Sequence, residues 1–276
     1  MAEPMGRRFW TVWVSSSASY LAEGLLFGSL PVLAASLTRD ARLIAVTDAL
    51  HHAGGTAITV WLARRDPKPV PVEGRAAPLK LLAEGLHYLA KHRVLRTLAG
   101  AVAIVNLVTS GAIAVAVLYV LYELHLPRST YGLVMASFAL GAIGGGLLTV
   151  RLTRWLGERT AVLVALVAFG VSMVVLGAVR QVVVSVSAMV LMGFFSMVWN
   201  ITVNSYRQRV VPLPLLGRVT SVFRMVAFIT MPLGALLAGL GTYAIGLPWT
   251  YIMGGLLLFA TAAAAVRPLQ EMPNRP

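Results

Sequence analysis

The chain has 276 residues, of which 58% are apolar and only 12% are charged, and it carries a formal net charge of +13. Soluble domains usually carry about 25% charged residues, so the composition excludes a globular body with a water-facing surface. The absence of cysteine excludes disulfides and thiolate metal sites. We expect no nucleic-acid partner, because the Lys and Arg residues lie in short segments between apolar runs, as membrane topology requires.

Eight apolar segments predict membrane-spanning helices. Runs of about 20 residues suit helices, whereas barrel strands are about half as long and alternate polar with apolar residues. The first segment is too long for the apolar core of a signal peptide, so we interpret it as a retained span. The predicted fold class is therefore an all-α membrane protein. Its spans are placed at residues 9–37, 43–63, 98–122, 130–150, 160–179, 182–203, 220–243 and 249–266.

The second segment is the least apolar of the eight, but the charge distribution favours a crossing or a re-entrant pass there. With the N-terminus inside, the predicted inner segments hold 18 of the 23 Lys and Arg residues, as the positive-inside rule expects. Without the second pass, everything downstream would be inverted. We therefore expect a multi-pass protein of the plasma (inner) membrane with both termini cytoplasmic. The inner segments are residues 1–8, 64–97, 151–159, 204–219 and 267–276.

A polar stretch separates the second span from the third. Residues 66–78 are Pro-rich and predict an extended linker. The following PLKLLAEGLHYLAKHRVLRTL places leucines at helical spacing with Lys and Arg between them, which indicates an amphipathic helix on the inner membrane face. The alternative is that this helix continues into the third span. The expected units are residues 1–65 with two spans, 66–97 as cytoplasmic linker, 98–266 as a six-helix bundle and 267–276 as tail.

Three motifs carry a family resemblance. They are EGLHYLAKHRVLR at Glu84–Arg96, GGLLTVRLTRWLGERT at Gly145–Thr160, and NSYRQRVVPLPLLGRVTSVFRM at Asn204–Met225 with PLGALLAG at Pro232–Gly239 after it. They resemble the drug and siderophore exporters of the major facilitator superfamily, which include the enterobactin exporter and macrolide-efflux proteins. There they correspond to the helix before span seven, a second-half copy of the Gly- and Arg-rich loop, and the region from the loop after span ten into span eleven.

The resemblance covers residues 80–276 as a complete C-terminal six-helix half. Residues 8–40 resemble the first span and Thr47–Arg65 the sixth, so we expect spans two to five to be missing. The resemblance implies proton-coupled efflux of a small molecule, with the bilayer, that molecule and protons as partners. The alternative is a non-transporting remnant or a half-transporter that requires a second chain, and a homodimer would supply one.

No catalytic constellation and no nucleotide-binding glycine loop occurs in the sequence, so we expect neither an enzyme nor a cofactor. Asp48, His51 and His52 would share one helix face. Two histidines and one acid are a weak metal signal, and we predict no metal site.

Glu23 is the sharpest candidate functional residue. It lies about 21 Å along the first span from Phe9, at about 1.5 Å per residue. An ionisable side chain at the bilayer centre costs roughly 2.5–3.5 kcal/mol on insertion scales, so it needs a reason to be there. One interpretation is a proton-coupling or substrate-binding carboxylate, since related exporters often carry an acid here. The other is a protonated glutamate hydrogen-bonded to neighbouring helices.

Arg224 lies about 9 Å beyond Arg218 along the predicted eleventh span of the resemblance. It is a candidate cation for an anionic substrate or for an acidic partner, and the alternative is snorkelling to the inner interface. Asn106, Asn200 and Asn204 are amides within or at the edge of spans. They are candidate substrate contacts, or else hydrogen-bonding links between helices.

Two further groups are candidates for gating and packing. The gating candidates are Arg151, Arg154, Glu158 and Arg159, which the resemblance implies form a latch at the inner face. The alternative is ordinary positive-inside charge. The packing candidates are Gly141, Gly144 and Gly145 in one predicted span and Pro232 and Gly234 in another, because small residues let helices approach closely.

Overall fold

The computed structural model describes residues 78–272 of the chain. The predicted spans at 9–37 and 43–63 lie outside these residues, and so does the linker before Pro78. Glu23, Asp48, His51 and His52 therefore also fall outside the described part.

Seven α-helices follow one another in residues 78–272. Six of them, α2 to α7, are long and apolar enough to cross a membrane, judged by length and composition. Each of the six spans predicted between residues 98 and 266 is confirmed as one of these helices. The helices are α1 Pro78–Lys91, α2 Arg93–Leu118, α3 Tyr131–Leu156, α4 Glu158–Ala178, α5 Val182–Val210, α6 Leu213–Ile245 and α7 Leu247–Val266.

Short connections separate the helices. Gly157 and Gly246, both with positive φ, are single-residue links before α4 and α7. Pro212 precedes α6, and a wide π turn, Tyr119–Glu123, extends α2. Because the connections are short, sequential helices run in opposite directions.

The six spans form two three-helix repeats, α2–α4 and α5–α7. The pairing of helices is symmetric: α2 packs on α6 as α5 packs on α3, and α4 packs on α7. Most of the largest fully buried apolar side chains belong to α2, α4 and α7, among them Leu98, Phe169 and Leu258. Large apolar side chains point outward from α3 and α6, as expected where lipid or another helix replaces water.

Small residues set the closest helix contacts. A Cβ atom built on Gly141 or Gly145 of α3 would overlap backbone carbonyl oxygens of α5, whereas Gly144 faces the Phe194 ring at an ordinary 3.6 Å. On the symmetric side, a Cβ on Gly111 of α2 would lie 2.8 Å from the carbonyl oxygen of Gly234 in α6. The backbones therefore touch at both crossings.

Pro232 lies inside α6 near that second crossing, where it removes one backbone donor. Ser110 of α2 donates a hydrogen bond to the carbonyl oxygen of Met231, at 2.5 Å. A side chain of one helix thus contacts the backbone of the other beside the proline.

The amphipathic stretch forms α1, which packs on α6 and α2. α1 ends at Lys91, and the single extended residue His92 separates it from α2. α2 begins at Arg93, five residues before the predicted start at residue 98. The helix can extend beyond the apolar run because Arg93 and Arg96, in its first turns, are exposed. The close approach of α1 to α6 is set by Gly85, where a Cβ would lie 2.8 Å from the carbonyl oxygen of Arg218.

Candidate functional site

Arginines concentrate at one end of the bundle. The start of α2, the end of α3, the start of α4, the end of α5, the start of α6 and the end of α7 meet there, because neighbouring helices alternate in direction. Only Arg128 and Arg180 among the described arginines lie at the opposite end. This is the charge asymmetry from which the sequence predicted an inner face.

Each of the four carboxylates in residues 78–272 is paired with an arginine. Three pairs lie at the arginine-rich end and one at the other. They are Glu84–Arg218, Glu158–Arg209, Arg93–Glu271 at 3.6 Å, and Glu123–Arg180 at 2.8 Å. Arg218 therefore links α1 to the start of α6, and within the described part no carboxylate lacks an arginine partner.

Arg207, near the end of α5, is held by two neighbours. Its guanidinium donates a hydrogen bond to the Asn204 side-chain oxygen at 2.6 Å. Its Cζ atom lies 4.7 Å from the centre of the Phe223 ring of α6, a cation–π contact. The Nε atom is buried and has no hydrogen-bond partner among the described residues.

Arg224 follows Phe223 directly and is exposed at the surface of α6. Because Arg207 lies over the ring of Phe223, the two arginines are neighbours across α5 and α6. Neither arginine forms an ion pair within residues 78–272. The helices therefore bring two cations that have no described carboxylate partner close to each other, toward the arginine-rich end of the bundle.

A polar stripe leads along α5 toward this pair. Asn200, Asn204 and Arg207 are four and three residues apart, so they share one face of the helix. Asn200 is exposed and Asn106 of α2 is half-buried, and neither side chain has a hydrogen bond to another described residue. The structure joins Arg207 to Asn204 by a hydrogen bond, whereas no such bond links either of the other two amides to Arg207 or Arg224 among the described residues.

The four gating candidates do not form one network among the described residues. Glu158 pairs with Arg209 of α5, and Arg159 donates to the carbonyl oxygen of Val266 in α7 at 3.4 Å. Arg151 and Arg154 are exposed on the last turns of α3, and neither pairs with a described carboxylate. Two members therefore contact neighbouring helices, and two have no described carboxylate partner.

Sequence reasoning missed a buried hydroxyl cluster at the end opposite the arginines. The Tyr119 and Ser185 hydroxyl oxygens are 2.7 Å apart, and the Tyr119 ring centre lies 5.2 Å from that of Tyr251. Tyr251 donates to the carbonyl oxygen of Ala112 at 3.0 Å. A tyrosine inside an apolar span needs a hydrogen-bond partner for its hydroxyl, so the tyrosines within the apolar runs could have indicated such a cluster from the sequence.

An apolar cavity of about 200 Å³ between α2, α4, α6 and α7 was also not predicted from the sequence. Its wall includes Val115, Met173, Leu237 and Leu257. No sequence signal marks it, because apolar and small residues on four helices are ordinary packing residues until the helices are placed.

Two comparisons with known proteins bear on this arrangement. Residues 45–274 match the family described as transmembrane secretion effector. The chain is also 29% identical over 215 residues to the multidrug efflux pump Tap of Mycolicibacterium fortuitum, across 73% of this chain and 52% of that pump. It thus spans about half the length of the curated relative it matches. The family match covers most of the chain and includes every span of the two-repeat bundle, so the chain belongs to the transmembrane secretion effector family, a branch of the major facilitator superfamily of membrane transporters.

Proposed function

We propose that the chain serves as a membrane exporter of a small molecule, driven by proton entry. The observation that carries the proposal is the family match over residues 45–274, which includes the complete two-repeat bundle. In transporters built from such repeats, substrate sites lie near the bilayer midplane and two bundles rock against each other. The efflux activity named for the similar pump supports the direction of transport.

We assign proton coupling to Glu23. The four carboxylates of residues 78–272 are all paired with arginines, and none of them lies in the middle of a helix that can cross a membrane. Glu23 lies in the first predicted span, where a charge is costly and therefore calls for a function. Asn106, Asn200 and Arg224 are the proposed substrate contacts of the C-terminal half.

We assign the arginine-rich end to the cytoplasm of a plasma membrane, with both termini on that side, because positive residues accumulate in inner loops. Arg151 and Arg154 then act at the inner face as the mobile part of a latch. Glu158 and Arg159 support it from within the bundle, through Arg209 and the Val266 carbonyl.

The second candidate is a half-transporter that works only with a second chain. The observation that favours it is the coverage of only 52% of the similar pump, which fits an N-terminal half without spans two to five. The outward apolar side chains of α3 and α6 would then pack on a partner. A homodimer is the simplest form of this candidate.

Efflux of a fluorescent dye from cells expressing the full chain tests the proposal. We expect efflux that stops when the proton gradient is collapsed and that is lost in Glu23→Gln. Glu73→Gln is the matched control, because it neutralises an acid in the predicted linker. Absence of efflux at full membrane expression would reject autonomous transport, and a dimer mass in detergent would then favour the half-transporter.

A further inference from the structure

Arg207 and Arg224 are neighbours across α5 and α6, because the Arg207 guanidinium lies 4.7 Å from the centre of the ring of Phe223, the residue before Arg224. Neither has a carboxylate partner in residues 78–272. Arg224 lies inside the span predicted at residues 220–243, where an ionisable side chain is costly unless it faces a cavity or a partner of opposite charge. Arg207 lies at the same level, in the last turn of α5. Two like charges side by side increase that cost. The arrangement therefore calls for an anion.

The geometry of Arg207 suits a specific ligand better than a diffuse counter-ion. The Asn204 oxygen and the Phe223 ring fix the guanidinium from two sides. A guanidinium held in one orientation retains further N–H donors and can bind a carboxylate or phosphate through two parallel hydrogen bonds. The neighbouring Arg224 supplies a second cation on the exposed side.

The surroundings of Arg224 are apolar. One turn further along α6, Phe228 and Ile229 are 52% and 55% exposed. Arg224 itself is exposed on the same helix. A ligand that contacts both the arginines and this surface needs an anionic group at one end and an apolar body.

We propose that Arg207 and Arg224, with Asn204 and Phe223 orienting Arg207, bind the carboxylate or phosphate of an amphiphilic anion. The inference rests on the proposed function where the anion is the exported molecule, and it deepens that function by giving the substrate a class. The same chemistry occurs in the headgroup of an anionic phospholipid. Binding itself requires no transport.

Binding of a dansyl-labelled undecanoic acid to the purified full chain tests the proposal. Energy transfer from the tryptophans of the protein to the dansyl group reports the binding, and the primary amide of the probe is the uncharged comparison. We expect the acid to bind about tenfold tighter than the amide, as a charge-assisted bidentate contact predicts.

Variants locate the site. Arg207→Gln with Arg224→Gln should abolish the preference for the acid, whereas Arg207→Lys with Arg224→Lys should retain part of it. Arg128→Gln with Arg267→Gln is the matched control, because both arginines are exposed and neither belongs to α5 or α6. If the double Gln variant does not fold, the exposed Arg224→Gln alone must reduce the preference.

A preference that persists in the Gln variants, or that is absent from the wild-type chain, overturns the proposal. Nanodiscs of phosphatidylglycerol and of phosphatidylcholine distinguish the two sources. Displacement by phosphatidylglycerol alone assigns the site to a lipid headgroup, and no displacement assigns it to a free amphiphile. A chain without efflux that still prefers the acid refutes only the transport proposal, whereas active efflux without the preference refutes only the anion site.

Discussion

Gly157 and Gly246 occupy equivalent positions in the two three-helix repeats and adopt nearly the same backbone conformation. Gly157 has φ 78° and ψ 157°, and Gly246 has φ 88° and ψ 160°. Each is the single residue between the second and third helices of its repeat. This region of φ/ψ space is almost restricted to glycine, so the internal repeat is encoded partly by two glycines 89 residues apart.

Substitution of Gly157 or Gly246 should strain the backbone of the single-residue link between the two helices that it joins. We expect Gly157→Ala and Gly246→Ala each to lower the free energy of unfolding by about 1–3 kcal/mol, because alanine disfavours this conformation. Unfolding in mixed detergent measures the loss. Gly100→Ala is the control, since Gly100 lies within α2 and nothing lies within 4 Å of its added Cβ. Equal effects at all three positions would contradict the conformational explanation.

Contact between α3 and α5 should depend on the glycine at the crossing itself. Gly141→Ala places a methyl group against the carbonyl oxygen of Val190, and backbone cannot move aside as a side chain can. We expect a destabilisation of about 1–3 kcal/mol. Gly146→Ala meets only the Met197 side chain at 3.7 Å and should be near neutral. Unfolding midpoints of the two variants decide the prediction, which fails if they coincide.

The hydroxyl contact between Tyr119 and Ser185 should contribute measurable coupling. Both side chains are buried, and interhelical hydrogen bonds in membrane proteins contribute about 0.6–1.7 kcal/mol. A double-mutant cycle of Tyr119→Phe and Ser185→Ala measures that energy. Ser187→Ala serves as the control for the serine, because Ser187 bonds to Val183 of its own helix and to no other residue in the described part of the chain. Additive effects in the Tyr119–Ser185 cycle would show that the contact is not energetically coupled.

Docking of α1 should depend more on the small residue Gly85 than on the ion pair beside it. The side chains of Glu84 and Arg218 are each about one-third exposed, and such pairs contribute only about 0–1 kcal/mol. Gly85→Val instead forces α1 away from the Arg218 carbonyl. We expect hydrogen exchange in α1 to accelerate strongly in Gly85→Val and little in Glu84→Gln. The reverse order would show that the ion pair holds the helix.

The helices themselves were predictable because the bilayer acts on each span separately. Every backbone polar group must be satisfied inside the span, so an apolar run of sufficient length predicts a helix without knowledge of its neighbours. All six predicted spans between residues 98 and 266 are helices for this reason. Their ends differ most where polar residues extend a helix beyond the apolar run, as Arg207 and Arg209 do at the end of α5.

The candidate site was only partly predictable. Arg224 stands out in the sequence as a cation within a span, but its neighbour Arg207 resembles an ordinary loop arginine beside Arg209. Whether Arg207 or Arg209 forms the ion pair with Glu158 depends on which face of α5 packs against α4. The structure gives Glu158 to Arg209 and leaves Arg207 against Phe223 and near Arg224.

Membrane class, helical fold and the six spans of residues 78–272 follow from composition and apolar run length, because both act locally along the chain. The partners of the charged residues do not, since Glu84 and Arg218 are 134 residues apart and meet only after α1 packs on α6. An ion pair or an uncompensated cation is a property of two helices in contact. The tertiary structure therefore decided which arginines pair with carboxylates and that Arg207 and Arg224, which do not, are neighbours.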